Sequence, residues 1–96
     1  GLAERLMLEG GTTPEARIEY GFRVVLSRRP DAEELAVLKE QCRAHLERFR
    51  ADKDAARAVT HFGESRSRAG LAEEELAAYT LLANTLLNLD ETVTRN

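Results

Sequence analysis

LAAYTLLANTLLNL, residues 76–89, runs for 14 positions without a charged side chain in a chain that is 32% charged. A helix lacking charge on every face must be covered on most of them, so this stretch predicts the most buried element of the fold. Glu73, Glu74 and Glu75 precede it and fit the first helical turn. Carboxylates there complement the helix dipole, and no ligand is needed to explain them. The spacing predicts a helix over residues 72–88, with residues 90–96 as a fraying tail.

Within the run, Thr80, Asn84 and Asn88 recur at four-residue steps and form one narrow polar seam flanked by Leu81 and Leu87. A buried amide left unpaired costs about 1–3 kcal/mol. The seam is therefore expected to lie exposed or to bond loop backbone; the sharper alternative is that it reads a partner or ligand.

Working outward, residues 2–8 give a short apolar helix stopped by Gly10-Gly11. Thr13 then serves as an N-cap with Pro14 at the first helical position. Ile18, Phe22, Val25 and Leu26 form the stripe of the second helix, Glu19 and Arg23 are spaced to pair on its outside, and Pro30 ends it. Asp31 opens a third helix, with Glu34 placed for a capping box. Its stripe is Leu35, Leu38, Cys42, His45/Leu46 and Phe49. Asp52 or Asp54 starts a fourth helix bearing Ala55, Ala56, Val59 and Phe62 and closed by Gly63, and ESRSRAG, residues 64–70, forms a polar loop.

At 96 residues the chain is one domain, able to bury roughly 60–65% of its unfolded surface. With three Phe, two Tyr and no Trp the core must come from Leu, Val and Ala. Only two Pro and six Gly leave few tight turns. Both facts favour helices over a β-sandwich. The expected fold is all-α, a compact antiparallel bundle of four to five helices with the last helix central.

The net charge of −3 is spread along the chain, with 12 Arg and 2 Lys interspersed among the acids. No basic face is expected, which argues against nucleic acid. The charge-free run falls short of the roughly 20 apolar residues of a membrane span. A single cysteine, Cys42, leaves no internal disulfide and no Cys-x-x-Cys-His haem attachment. The opening Gly1-Leu2-Ala3-Glu4-Arg5 reads as a helix in progress, which suggests a cut within a larger protein.

Candidate chemistry is sparse. Cys42 and His45, three apart, have a spacing that suits half a zinc site. Both also lie on an apolar stripe, where cysteine acts as a small hydrophobe, so Cys42 is expected buried, reduced and unligated. No serine sits in a nucleophile elbow, Gly10-Gly11 lacks the lysine of a phosphate loop, and Glu73-Glu74-Glu75 lacks the alternation of a calcium loop. Arg66 and Arg68 are placed either for an anion or for plain solvation. Glu64 is expected to pair with Arg29.

The segments LSRRPDAEEL, FGES and AYTLLANTLLNLDETVTR together resemble the end of the planctomycete cytochrome- and surface-protein C-terminal domain family, a family of unknown function. The resemblance covers residues 2–95. It is most specific at Tyr79-Thr80, Ala83-Asn84 and the run from Leu86 through Asn88, Asp90 and Glu91. Arg29, Pro30, Glu34, Gly63, Glu64 and Ser65 also match. Tyr79 stands where members often have Trp, and Arg66 where Pro is common.

The resemblance implies the last part of a large secreted, periplasmic or cell-surface protein whose upstream domains often carry c-type haem; no cofactor is implied for this chain. It transfers no catalytic residue. The function expected is an interaction or scaffolding module that docks onto upstream domains or a surface partner, or forms a homodimer. Glu64, Ser65, Thr80, Asn84, Asn88, Asp90 and Glu91 are its candidate motif. The surfaces expected to face a partner are the first helix and the side of the last helix bearing Leu81, Asn84 and Leu87. The alternative is that Glu64, Asp90 or Glu91 completes an enzyme site built mainly upstream, with polysaccharide as the candidate substrate.

Overall fold

In a computed structural model the protein is described over residues 1–63 and 72–95, with side chains over residues 1–60 and 72–91. Five α-helices follow in order: α1 (Leu2–Glu9), α2 (Pro14–Gly21), α3 (Ala32–Ala51), α4 (Lys53–Gly63) and α5 (Glu73–Arg95). A π-turn, Phe22–Leu26, prolongs α2. The fold is the expected all-α bundle, and α5 packs against all four other helices.

Local chemistry sets the helix starts. The Thr13 hydroxyl accepts from the Ala16 amide at 3.1 Å, with Pro14 beginning α2. Asp31 and Glu34 form a reciprocal capping box: the Glu34 amide donates to Asp31 Oδ1 at 2.7 Å, and the Asp31 amide donates to Glu34 Oε1 at 3.0 Å. Asp52, and not Asp54, caps α4, accepting from the Ala55 amide at 3.1 Å.

The core has two parts. The larger joins α1, α2, α3 and α5 through Leu6, Ile18, Phe22, Leu38, Cys42, Tyr79 and Leu86. The smaller packs Phe49 and Ala56 against Ala77 and Ala78. Tyr79, Leu82, Ala83 and Leu86 are buried as expected, Leu86 completely. Gly21 lets α2 approach α5: a Cβ there would lie 2.5 Å from Leu86 Cδ1 and 3.1 Å from Leu6 Cδ2. Gly11, at φ +95°, turns the chain between α1 and α2 in a conformation that only glycine adopts easily.

Four expectations need correction. The last helix does not fray at residue 90 but continues to Arg95, because no glycine or proline stops it. The second helix passes into a π-turn and ends at Leu26 with Ser27 left-handed at φ 58°, before Pro30. That change to i→i+5 bonding breaks the i, i+4 register, and no ion pair joins Glu19 to Arg23 among the described residues. Finally, α1 is not an uncovered face: Ala3, Leu6 and Met7 are core, and of its apolar residues only Leu8 is largely exposed.

Candidate functional site

Helix α5 carries the candidate motif, and its burial divides that motif. Thr80 is buried, and its hydroxyl donates to the Leu76 carbonyl at 2.7 Å, so it is satisfied within its own helix. Asn84 and Asn88 are exposed. With Leu87, half-exposed at 50%, and Glu91 they form one outward stripe. Leu81 leans into the smaller core instead. Asp90 lies about 120° around the helix from Asn84, at 100° per residue, so it does not join that stripe. Glu64 and Ser65, the expected Glu64–Arg29 pair, and Arg66 and Arg68 lie outside the described residues.

Two clefts flank α3, and neither was anticipated. The first, of about 360 Å³, is based on Cys42, Ala78 and Tyr79 and bordered by Lys39, Glu40 and Arg43. Its charges are matched locally: Lys39 reaches Glu15 at 2.8 Å, and Arg43 pairs with Glu40 and Glu47. Burial pushes the Cys42 thiol up to about 11. At neutral pH it is a packed thiol and no nucleophile. His45, half-buried, lies 6.4 Å from the Phe49 ring, and burial, then Arg48, lowers its pKa. Among the described residues no three of the His, Cys, Asp and Glu side chains gather as a metal site.

The second cleft, of about 400 Å³, lies between α3 and α5. Phe22, Leu38 and Leu89 supply apolar walls, and Val37 is half-exposed at its edge. Asp31, Glu33 and Glu34 line one end, with no lysine or arginine in the lining among the described residues. Arg28 holds Glu34 by two bonds of 2.8 and 2.9 Å. That pairing, with the Asp31 amide, draws the Glu34 carboxyl down to about 2. A general acid needs its pKa moved the other way, so Glu34 is spent on structure.

The cleft escapes sequence inspection for a simple reason. Val37 sits about 100° from Leu38 on the helical wheel, off the core stripe, and is easily passed over as a stray surface residue. An apolar side chain just outside a stripe was the available signal.

Compared with known proteins, the chain matches no family model, no curated protein and no solved structure. Among the described residues no helix is long and apolar enough to cross a membrane.

Proposed function

We propose that this chain is an interaction module whose docking surface is the outward stripe of α5. One observation carries the proposal: Asn84, Leu87 and Asn88 are exposed yet uncharged, in a chain where 32% of residues are charged. Solvated helix faces are ordinarily dressed with Lys, Glu or Arg. Charge is depleted at the centres of protein interfaces because an amide or leucine is cheaper to strip of water than an ion. A half-exposed leucine beside the exposed Asn84 suits a partner that covers the leucine and bonds that amide.

The resemblance to the planctomycete C-terminal domain family supports a location at the end of a periplasmic or cell-surface protein, with upstream domains of the same chain as partner. A homodimer through the same stripe is the other arrangement. Benzoylphenylalanine placed at Leu87 in the longest natural chain, irradiated in its native cells, tests the proposal. The expected result is a discrete cross-link, absent when the probe stands at the exposed position Arg43. No product above that control contradicts it. So does turnover of a glycan, ester or phosphoester by the purified chain that disappears in Glu91→Gln.

A further inference from the structure

We infer that the α3–α5 cleft is a second docking groove, and that its occupant is a basic amphipathic helix of a partner protein. The inference does not depend on the α5 stripe. Thr85 and Leu89, which line the groove, lie about 160–200° around α5 from Leu87. The groove has the parts that helix-in-groove recognition uses. Leu38 and Phe22 are buried along it, and Leu89 is partly buried. Val37 leaves half of its surface uncovered at the edge, and Gln41 and Thr85 offer polar atoms beside it. Apolar side chains of an incoming helix, spaced i, i+3/i+4, would complete such a surface.

Charge complementarity selects the occupant. Among the described residues three carboxylates line one end of this groove and the one cation beside them, Arg28, is bound to Glu34, whereas the first cleft carries Lys39 and Arg43 beside Glu40. Glu34 is engaged by Arg28, and Asp31 Oδ1 by the Glu34 amide. Glu33 is exposed, and its carboxylate has no hydrogen bond or ion pair among the described residues. The partial positive charge at the start of α3, about half a unit, leaves the set negative. A lysine or arginine flanking the apolar stripe of the partner would meet that end, and an acidic helix would be repelled. The π-turn adds a separate indication. Its first residue, Phe22, lines the groove under the Arg28 guanidinium at 5.1 Å, and such turns are frequent at functional sites.

Two designed 18-residue peptides test this. Both carry leucines at helical spacing; one has lysines flanking the stripe, and its twin has glutamates at the same positions. Titrated into the ¹⁵N-labelled chain at low salt, the lysine peptide is expected to bind at least tenfold more tightly than its twin. The amide shifts should centre on Val37, Gln41, Thr85 and Leu89. Glu33→Lys and Val37→Asp, both at exposed positions, should each weaken binding about tenfold while the far-ultraviolet spectrum stays unchanged; Glu33→Gln should give a smaller loss. Equal binding of the twins, shifts centred elsewhere, insensitivity to Glu33→Lys, or no binding of either peptide overturns the inference. Concentration-dependent shifts at the same residues without peptide would assign the groove to a second copy and overturn it as well.

Discussion

The guanidinium of Arg17 lies 5.0 Å above the centre of the Tyr79 ring, joining the second helix to the face of the last one. The same side chain donates to the Gly11 carbonyl at 3.1 Å and to the Met7 carbonyl at 3.4 Å, and lies 3.7 Å from Glu75. It thus serves the unsatisfied end of α1, the turn after it and α5 together. Arg17→Ala should cost about 2–3 kcal/mol, combining a partly buried cation–π contact with hydrogen bonds to a charged group. Arg17→Lys keeps the charge but loses the planar fork, and should recover less than half of that. Urea denaturation of the two variants measures both. Equal stability of Arg17→Ala and the parent would remove Arg17 from this role.

Gly21 and Leu86 should be energetically coupled. Leu86→Ala should cost about 2–5 kcal/mol as a buried cavity, and Gly21→Ala about 1–3 kcal/mol as an overpacked contact. In the Leu86→Ala background the new Cβ enters vacated space, so Gly21→Ala should cost at least 1 kcal/mol less there, roughly the coupling seen between contacting residues. Strict additivity in the double-mutant cycle would mean that the two do not meet.

Cys42 should react slowly with a thiol reagent at pH 8 in the native protein and quickly after denaturation. Its thiol is raised from 9.0 to about 11 by burial. Because the folded value exceeds the unfolded one, this contribution to stability is complete below pH 9 and is lost as the pH rises from 9 towards 11. Cys42→Ala should flatten that part of the pH–stability curve. Rapid native modification would place the thiol at the surface.

Glu34 should govern part of the acid limb. Its carboxyl falls from 4.5 to about 2 through Arg28 and the Asp31 amide, so its contribution is complete above pH 4.5 and is lost as the pH falls from 4.5 towards 2. The ion pair is exposed, and such a pair is worth under about 1 kcal/mol. The cap itself should matter more, with Asp31→Ala costing about 1 kcal/mol. Glu34→Gln should lessen the loss of stability over that acid interval, and an unchanged slope would contradict the assignment.

Much of the fold was legible because its signals are local. The charge-free run names the hub, and Thr13, Asp31 and Asp52 mark three helix starts by their side-chain oxygens. The π-turn was hidden because Phe22, Val25 and Leu26 fit an ordinary helical stripe as written, and only packing shows the wider turn. The end of α5 was misjudged because the charge-free run stops at Leu89, although no glycine or proline follows to end the helix there. The site was the least legible part. Exposure of Asn84, Leu87 and Asn88 depends on which faces α1, α3 and α4 happen to cover, and the α3–α5 groove arises between segments some 50 residues apart. The four-residue spacing of Asn84 and Asn88 marks that face but not the burial of Thr80 on it, and no periodicity within one helix records the groove.

Hydroxyl-radical footprinting of Leu87 is the most direct test of the docking surface, with Val24 as an internal reference because it too is exposed, at 40%. The account predicts that Leu87 is oxidised readily in the purified chain and several-fold more slowly, relative to Val24, in the cells that make it, where its partner is present. An unchanged Leu87-to-Val24 ratio between the two conditions would contradict it.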